Sequence, residues 1–117
     1  MDVGKFIRDL FANLAGKRFV DDYHLQVEVF LVKGKIELKD DGFLKVYYNE
    51  RTGTLAFALI NEEKRVWGID RDNLRGWHCH PFDEPESHQT ITAQSLLDII
   101  NEVEFIWRRI TRLNAKP

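Results

Sequence analysis

Three of the four histidines of this 117-residue chain lie in one segment, residues 70–91, together with its only cysteine. His78 and His80 are two positions apart, so on an extended backbone both imidazoles point to the same side, with Cα atoms about 6–7 Å apart. Two prolines supply turns that can bring His88 and Glu86 back beside them. A metal ion held by three such ligands, with one coordination position left open, is typical of a catalytic site. If a metal is bound, we expect a divalent transition metal, with zinc as the leading candidate.

The same histidines can also act without a metal, so that no cofactor is required. An imidazole titrates near neutral pH, and His78, His80 or His88 can then serve as a general acid or base, or contact a substrate phosphate. A third interpretation is structural, with a polar strand edge that hydrogen-bonds to nearby carboxylates. The residue pattern leaves these three alternatives open.

Charged residues just before the histidines extend this candidate site. Asp70 and Asp72 alternate with Arg71, so on a strand both carboxylates share one face and the guanidinium takes the other. We expect Asp72 to orient one imidazole and Arg71 to stabilise negative charge on a phosphate. Alternatively, Asp72-Asn73 is typical of an Asx turn.

Three further residues of the segment are candidates for substrate binding: Asn73, Arg75 and Trp77. The tryptophan can stack on a base or anchor the core. Cys79 lies between two histidines and therefore faces the other side of a strand. We interpret Cys79 as a small buried apolar residue rather than a nucleophile.

Two helices and a set of strands are predicted to position this segment. Apolar residues recur every three or four positions over 3–14, with Asp2 as the N-cap and Gly16 ending the helix. A second helical stripe runs from Leu96 to Leu113, with Thr92 as its N-cap. We expect Trp67 and Trp107 to lie in the core.

Between the helices, five strands are expected. The first is predicted over Tyr23–Val32, with a turn at Lys33-Gly34, and the fifth starts at Val66. Further turns are predicted at Asp41-Gly42, Arg51-Thr52-Gly53 and 61–64. Turns this short favour an antiparallel meander. The predicted fold is therefore a two-layer α+β domain over residues 1–117, with both helices on one face of the sheet. The open face would carry Gln26, Phe30 and Tyr47.

Composition narrows the class of protein. Hydrophobic residues make up 44% and aromatic residues 12%, which argues against intrinsic disorder. A net charge of −2 argues against nucleic-acid binding through bulk charge and leaves room for a local patch. The single cysteine excludes an internal disulfide, and neither a membrane span nor a secretory signal is apparent. We therefore expect a cytoplasmic protein.

The end of the chain is basic, with Arg108, Arg109, Arg112 and Lys116. These side chains can contact phosphates or an acidic partner protein. Alternatively, they are a solvated helix end that complements the helix dipole.

The order of several motifs resembles the TumE-type toxin family of prokaryotic toxin–antitoxin systems, over roughly residues 3–106. The resemblance rests on Asp40-Asp41-Gly42, Arg71-Asp72-Asn73, the three histidines 78, 80 and 88, and Ser95-Leu96-Leu97-Asp98-Ile99. It implies a toxin-like component with a DNA-binding antitoxin as its cognate partner. For such a component our hypothesis is ribonuclease-like cleavage of RNA; the alternative is a non-catalytic protein- or metal-binding module.

Overall fold

The computed structural model describes residues 1–114 and has an α+β architecture in which two helices cover one face of a single antiparallel sheet. The elements are α1 (Val3–Leu14), β1 (Val20–Val27), β2 (Leu31–Leu38), β3 (Gly42–Asn49), β4 (Thr54–Asn61), β5 (Lys64–Asp72), β6 (Gly76–His80), β7 (Gln89–Thr90) and α2 (Leu96–Asn114). The strands lie in chain order from β1 to β7, which confirms the meander. The sheet has seven strands rather than five, because residues 70–91 contribute β6 and β7.

Helix α1 is confirmed over residues 3–14. The Asp2 carboxylate accepts a hydrogen bond from the Lys5 backbone N–H at 2.7 Å, as an N-cap does. Gly16 follows in the left-handed conformation, with a φ of 76°. The Phe6 ring stacks on Tyr48 of β3 at 4.7 Å between centroids, which fixes α1 on the sheet.

Helix α2 begins later than predicted, so Thr92 is not its N-cap. The Ser95 hydroxyl accepts from the Asp98 N–H at 3.0 Å, and the Asp98 carboxylate accepts from the Ser95 N–H at 3.4 Å. This reciprocal pair is a capping box, which satisfies two free amides at once. Trp107 is buried as expected, and its indole N–H donates to the Lys39 carbonyl at 2.8 Å. Lys116 lies outside the described residues.

The prediction of one strand over Tyr23–Val32 is wrong, because the chain turns between β1 and β2 at residues 28–30. This turn contains no Gly, Pro, Asn or Asp, and its Val29 continues the apolar alternation of Leu25 and Val27 although it is exposed. Phe30 lies in the turn beneath the Arg51 guanidinium rather than on the open face.

The predicted turn at Lys33-Gly34 lies inside β2. Gly34 is needed there because β1 passes very close: a Cβ atom would lie 2.0 Å from the His24 carbonyl oxygen.

Side chains alternate between the two faces of the sheet, apart from register shifts at Val20/Asp22 and Leu59/Ile60. On β4, Leu55, Phe57 and Leu59 are buried beneath the helices, whereas Ala56 and Ala58 belong to the opposite, open face. Tyr47 and Gln26 lie on the open face, as predicted. Within residues 1–114 neither helix combines the length and apolar composition needed to cross a bilayer.

Candidate metal centre

Strands β5 and β6 place a carboxylate and two imidazoles on the open face. Asp70 is the direct cross-strand partner of His78, and Gly68 is the partner of His80. Side chains two apart on a strand share a face, so the expected alignment of His78 and His80 is confirmed. Gly68 lies under the His80 ring, since a Cβ at this position would be 3.5 Å from His80 Cδ2.

Residues 81–88, which we name the covering loop, fold back over these histidines. Backbone hydrogen bonds from Glu84 N–H to the Pro81 carbonyl and from Ser87 N–H to the Glu84 carbonyl form its turns. The Arg65 guanidinium donates to the Pro85 carbonyl at 3.2 Å and holds the loop on the sheet. As a result, His78 and His80 are only 5% and 4% exposed, although they lie on the face without helices.

The covering loop brings the third imidazole into place. The His88 ring centroid lies 5.6 Å from that of His78 and 4.2 Å from that of His80. One ligand nitrogen from each ring lies within 4.8 Å of the others. In a tetrahedral zinc site with bonds of 2.0–2.1 Å, donor atoms are about 3.4 Å apart, so the three nitrogens lie within about 1.4 Å of that spacing or closer. We name these three residues the histidine cluster; it could hold a metal ion.

The Asp70 carboxylate lies beside two members of the cluster. Its Oδ2 atom is 3.3 Å from His78 Nε2 and 3.5 Å from His80 Nε2. A carboxylate in this position favours the proton on Nε2 and leaves Nδ1 with its lone pair, as carboxylates beside metal-binding histidines do. Asp70 therefore has the orienting position that the sequence assigned to Asp72.

The other nitrogen of each buried ring has no protein partner. Among the side chains of residues 1–112, His78 Nδ1 and His80 Nδ1 are the buried nitrogen or oxygen atoms without a hydrogen bond. Leaving one such atom unsatisfied costs about 1–3 kcal/mol, and most buried polar groups avoid this cost. Burial, the Arg65 charge and His88 lower the pKa of His80, while Asp70 and the Pro85 backbone oppose the shift. The net effect favours the neutral ring.

The predicted phosphate-binding arginine lies on the other side of the sheet. Arg71 and its cross-strand partner Trp77 line a cavity of about 660 Å³ on the helix-covered face. Arg71 donates to the Gly53 carbonyl at 2.6 Å, and Trp77 packs against the core. Neither residue joins the histidine cluster. Arg65 is the cation beside the cluster, and sequence reasoning missed it because its partner carbonyl is 20 residues away.

The remaining predicted polar residues form the β5–β6 turn. The Asp72 carboxylate accepts from the Leu74 and Arg75 backbone N–H groups, and these bonds, led by that from Arg75, lower the pKa of Asp72. The Arg75 guanidinium pairs with the same carboxylate at 3.2 Å. Asn73 donates to the Thr52 carbonyl at 2.7 Å. The alternative interpretation, an Asx turn, therefore describes this segment.

Glu86 and Cys79 also lie outside the cluster. Glu86 is exposed, and its carboxylate does not belong to the set of ligand atoms that lie within 4.8 Å of one another in the histidine cluster. Cys79 packs against the core on the opposite side of β6 from its histidine neighbours, and burial raises the pKa of its thiol. The thiol therefore stays protonated, in agreement with the predicted apolar role.

The basic end of α2 has partners within the fold. Arg108 donates to the Glu104 carboxylate at 2.9 Å. The Arg109 guanidinium lies 5.7 Å from the ring centroid of Phe82, at the start of the covering loop. These contacts support the interpretation of a surface helix end for Arg108 and Arg109.

Asp22, His24 and Glu37 form a second group with ligand-like spacing. The group lies on the surface at the β1 edge, and His24 Nε2 is 3.0 Å from the Glu37 carboxylate. The hydrogen bond between His24 and Glu37 on the surface accounts for this spacing without a metal.

Comparison of the chain with protein-family models, curated proteins and solved structures finds no match. The function must therefore be inferred from the residues of this chain. The histidine cluster, with Asp70 and Arg65 beside it, combines ligand nitrogens, an orienting carboxylate and a cation in one place.

Proposed function

We propose that this protein is a metal-dependent RNA hydrolase that serves as the toxin component of a prokaryotic toxin–antitoxin pair. The observation that carries the proposal is the histidine cluster, in which two buried Nδ1 atoms lack a protein partner. Zinc is the proposed metal, a DNA-binding antitoxin is the proposed partner, and the cytoplasm is the proposed location.

The chemistry follows from the ligand set. Zinc held by three protein ligands keeps a position for water and lowers the pKa of that water to about 7. The chain contributes the three imidazoles, and Asp70 keeps the His78 and His80 rings in one orientation. Arg65 supplies positive charge for a phosphate oxygen, the role first assigned to Arg71. Phosphodiester hydrolysis is the reaction that uses all of these groups.

The toxin–antitoxin part of the proposal is supported by the resemblance to the TumE-type family. That resemblance includes the Asp40-Asp41-Gly42 turn and the Ser95-Leu96-Leu97-Asp98-Ile99 segment, as well as the histidines. In the fold these two stretches are the β2–β3 turn and the capped start of α2.

The first test is the metal content of the purified, untagged protein, measured by elemental analysis for wild type, His80→Ala and His24→Ala. His24 is the matched control, because it is an exposed histidine on the same face of the sheet. We expect about one zinc per chain in wild type and in His24→Ala, and loss of the metal in His80→Ala. Metal-free wild-type protein after purification with zinc, or zinc retained in His80→Ala, would contradict the assignment.

Wild type and His80→Ala then test activity. Zinc-loaded wild type should cleave RNA and arrest growth when expressed without the antitoxin, and a chelator should abolish cleavage. His80→Ala should do neither. If zinc-loaded wild type arrests growth without cleaving RNA, the proposed RNA hydrolysis is contradicted, whereas the proposed toxin role is not.

A second candidate function is a non-catalytic metal clip. It is favoured by the deep burial of His78 and His80 beneath the covering loop, since a structural metal does not need access to substrate. In that case the chelator lowers the melting temperature, because a ligand that binds only the folded state stabilises it. RNA cleavage would then be absent from zinc-loaded protein.

A further inference from the structure

The open face of the sheet forms a concave trough next to the histidine cluster. The trough has a volume of about 1020 Å³ and is lined by side chains from β1 to β4. Three of these side chains are lysines, Lys33, Lys35 and Lys45. Among residues 1–112, no Asp or Glu lines the trough, and no carboxylate is paired with any of the three lysines. The Glu37 carboxylate, two residues after Lys35 on the same strand, pairs with His24. We name this surface the lysine trough.

The arrangement of the lysines is unfavourable for the protein alone. Lys35 and Lys45 are direct cross-strand partners, and Lys33 lies diagonally from Lys45 on the same face. Like charges directly opposite each other destabilise a sheet. An anion bound between the lysines would remove this repulsion, so the charge pattern fits a ligand that carries several negative charges.

Aromatic rings lie among these charges. Tyr47 is the cross-strand partner of Lys33, and Lys35 Nζ lies 5.0 Å from the centroid of the Phe43 ring. Both rings are only partly buried. Basic side chains that follow a backbone, combined with exposed rings on which bases stack, are the features of single-stranded nucleic-acid sites.

The trough continues to the histidine cluster over a floor of small residues. Lys45 is the partner of Ala58, Ala58 is the partner of Gly68, and Gly68 is the partner of His80. At about 4.8 Å between neighbouring strands, Lys45 and His80 are separated by about 14 Å. A second row runs in parallel from Tyr47 over Ala56 to Asp70. Between the lysines and the histidines the residues of these rows are therefore small, and the Arg65 side chain lies against Gly68, with its Cδ atom 3.5 Å from where a Cβ would lie.

We propose that the lysine trough binds single-stranded RNA and leads the strand to the histidine cluster. The proposal names the substrate-binding surface of the proposed function and rests on that function for what happens at the cluster. Phosphates contact Lys33, Lys35 and Lys45, and bases stack on Tyr47 and Phe43. A single strand fits because its bases are accessible to the rings, whereas a duplex hides them.

The test measures binding without cleavage. A fluorescein-labelled 12-nucleotide oligouridine is titrated with full-length protein in EDTA, and fluorescence anisotropy is followed at several salt concentrations. Each phosphate contact to a single strand contributes about 0.7 to the slope of log K against log salt. Lys45→Gln should therefore lower the slope by about 0.7 and weaken binding about 5-fold at 0.1 M salt. The double variant Lys35→Gln/Lys45→Gln should lower the slope by about 1.4.

The control is Lys5→Gln, which removes the same charge from the exposed surface of α1. It should bind like wild type. Wild type that does not bind, or trough variants that bind like Lys5→Gln, would overturn the proposal. Tighter binding of DNA of matched sequence, or of an RNA duplex, than of the single-stranded RNA would also overturn the proposal. A polyglutamate peptide that bound equally well through the same lysines would assign the trough to an acidic protein instead.

This experiment is independent of the metal. Lysine-dependent RNA binding in a protein that shows no zinc-dependent cleavage would support the trough and contradict the hydrolase. Zinc-dependent cleavage that the lysine variants leave unchanged, with unchanged binding, would support the hydrolase and contradict the trough.

Discussion

At the scale of single residues, the site depends on which carboxylate stands opposite the histidines. Asp70 and Asp72 have the same side-chain direction, yet only Asp70 is the cross-strand partner of His78. Asp72 lies two residues further along β5, and its carboxylate accepts hydrogen bonds from backbone N–H groups of the β5–β6 turn. The strand register thus separates an orienting carboxylate from a structural one.

Replacing Asp70 with Asn is expected to weaken zinc binding 10–100-fold, the usual effect of removing a carboxylate beside a metal-binding histidine. The amide keeps the size of the side chain but loses the charge that favours the proton on Nε2. The measurement is zinc competition with a chromophoric chelator. Asp22→Asn, at the exposed His24, is the control and should change nothing. Equal affinities for the two variants would show that Asp70 does not orient the ligands.

At the scale of elements, the packing of α2 on the sheet depends on a glycine. A Cβ at Gly42, the first residue of β3, would lie 2.0 Å from the Trp107 ring. The indole fills this space and donates to the Lys39 carbonyl. The predicted Asp41-Gly42 turn thus has a second purpose, since its glycine lets α2 approach the sheet.

Gly42→Ala is therefore expected to lower the free energy of unfolding by about 1–3 kcal/mol, as overpacking of a core does. Gly4→Ala, in α1, should raise it by about 0.5–1 kcal/mol, because alanine is the better helix former and a Cβ there meets no atom closer than 3.4 Å. Urea denaturation measures both. A Gly42→Ala protein as stable as wild type would mean that α2 does not press on Gly42.

At the scale of the whole molecule, charge is unevenly distributed. The net charge is −2, yet the open face carries the lysine trough. On the helix side, the Glu104 carboxylate of α2 contacts two cations. Arg108 donates to it at 2.9 Å, and Lys17 Nζ lies 3.3 Å away. These contacts, led by the Arg108 hydrogen bond, lower the pKa of Glu104.

Because the folded state lowers the pKa of Glu104, the carboxylate stabilises the fold fully above the ordinary pKa of Glu, about 4.3, and loses this effect as the pH falls further. Glu104→Gln should thus reduce the free energy of unfolding by about 0.5 kcal/mol at pH 7. The difference from wild type should shrink as the pH falls below about 4.3. Urea denaturation over a series of pH values measures it, and a difference that grows as the pH falls would show that the lost stability is not electrostatic.

The sequence by itself determined the features that depend on local periodicity. The apolar spacing of α1, the alternation of β3, and the common side of His78 and His80 all follow from residues a few positions apart. Local chemistry also predicted the Asp2 cap, and an Asx turn at Asp72-Asn73 was recognised as an alternative. The turn at residues 28–30 was not predicted, because these residues are not typical turn residues and Val29 continues the apolar alternation of β1.

Only the tertiary structure decided which distant residues meet. Arg65 reaches the covering loop, and Arg71 faces the helices, because β5 pairs with β4 and β6 in one register. The lysine trough exists because three antiparallel pairings align lysines 33, 35 and 45 with a floor of small residues. Local periodicity gives the face on which a side chain lies, but its neighbour depends on register and on how the loops fold back. That is why a chain with a net negative charge can present a basic surface beside its histidines.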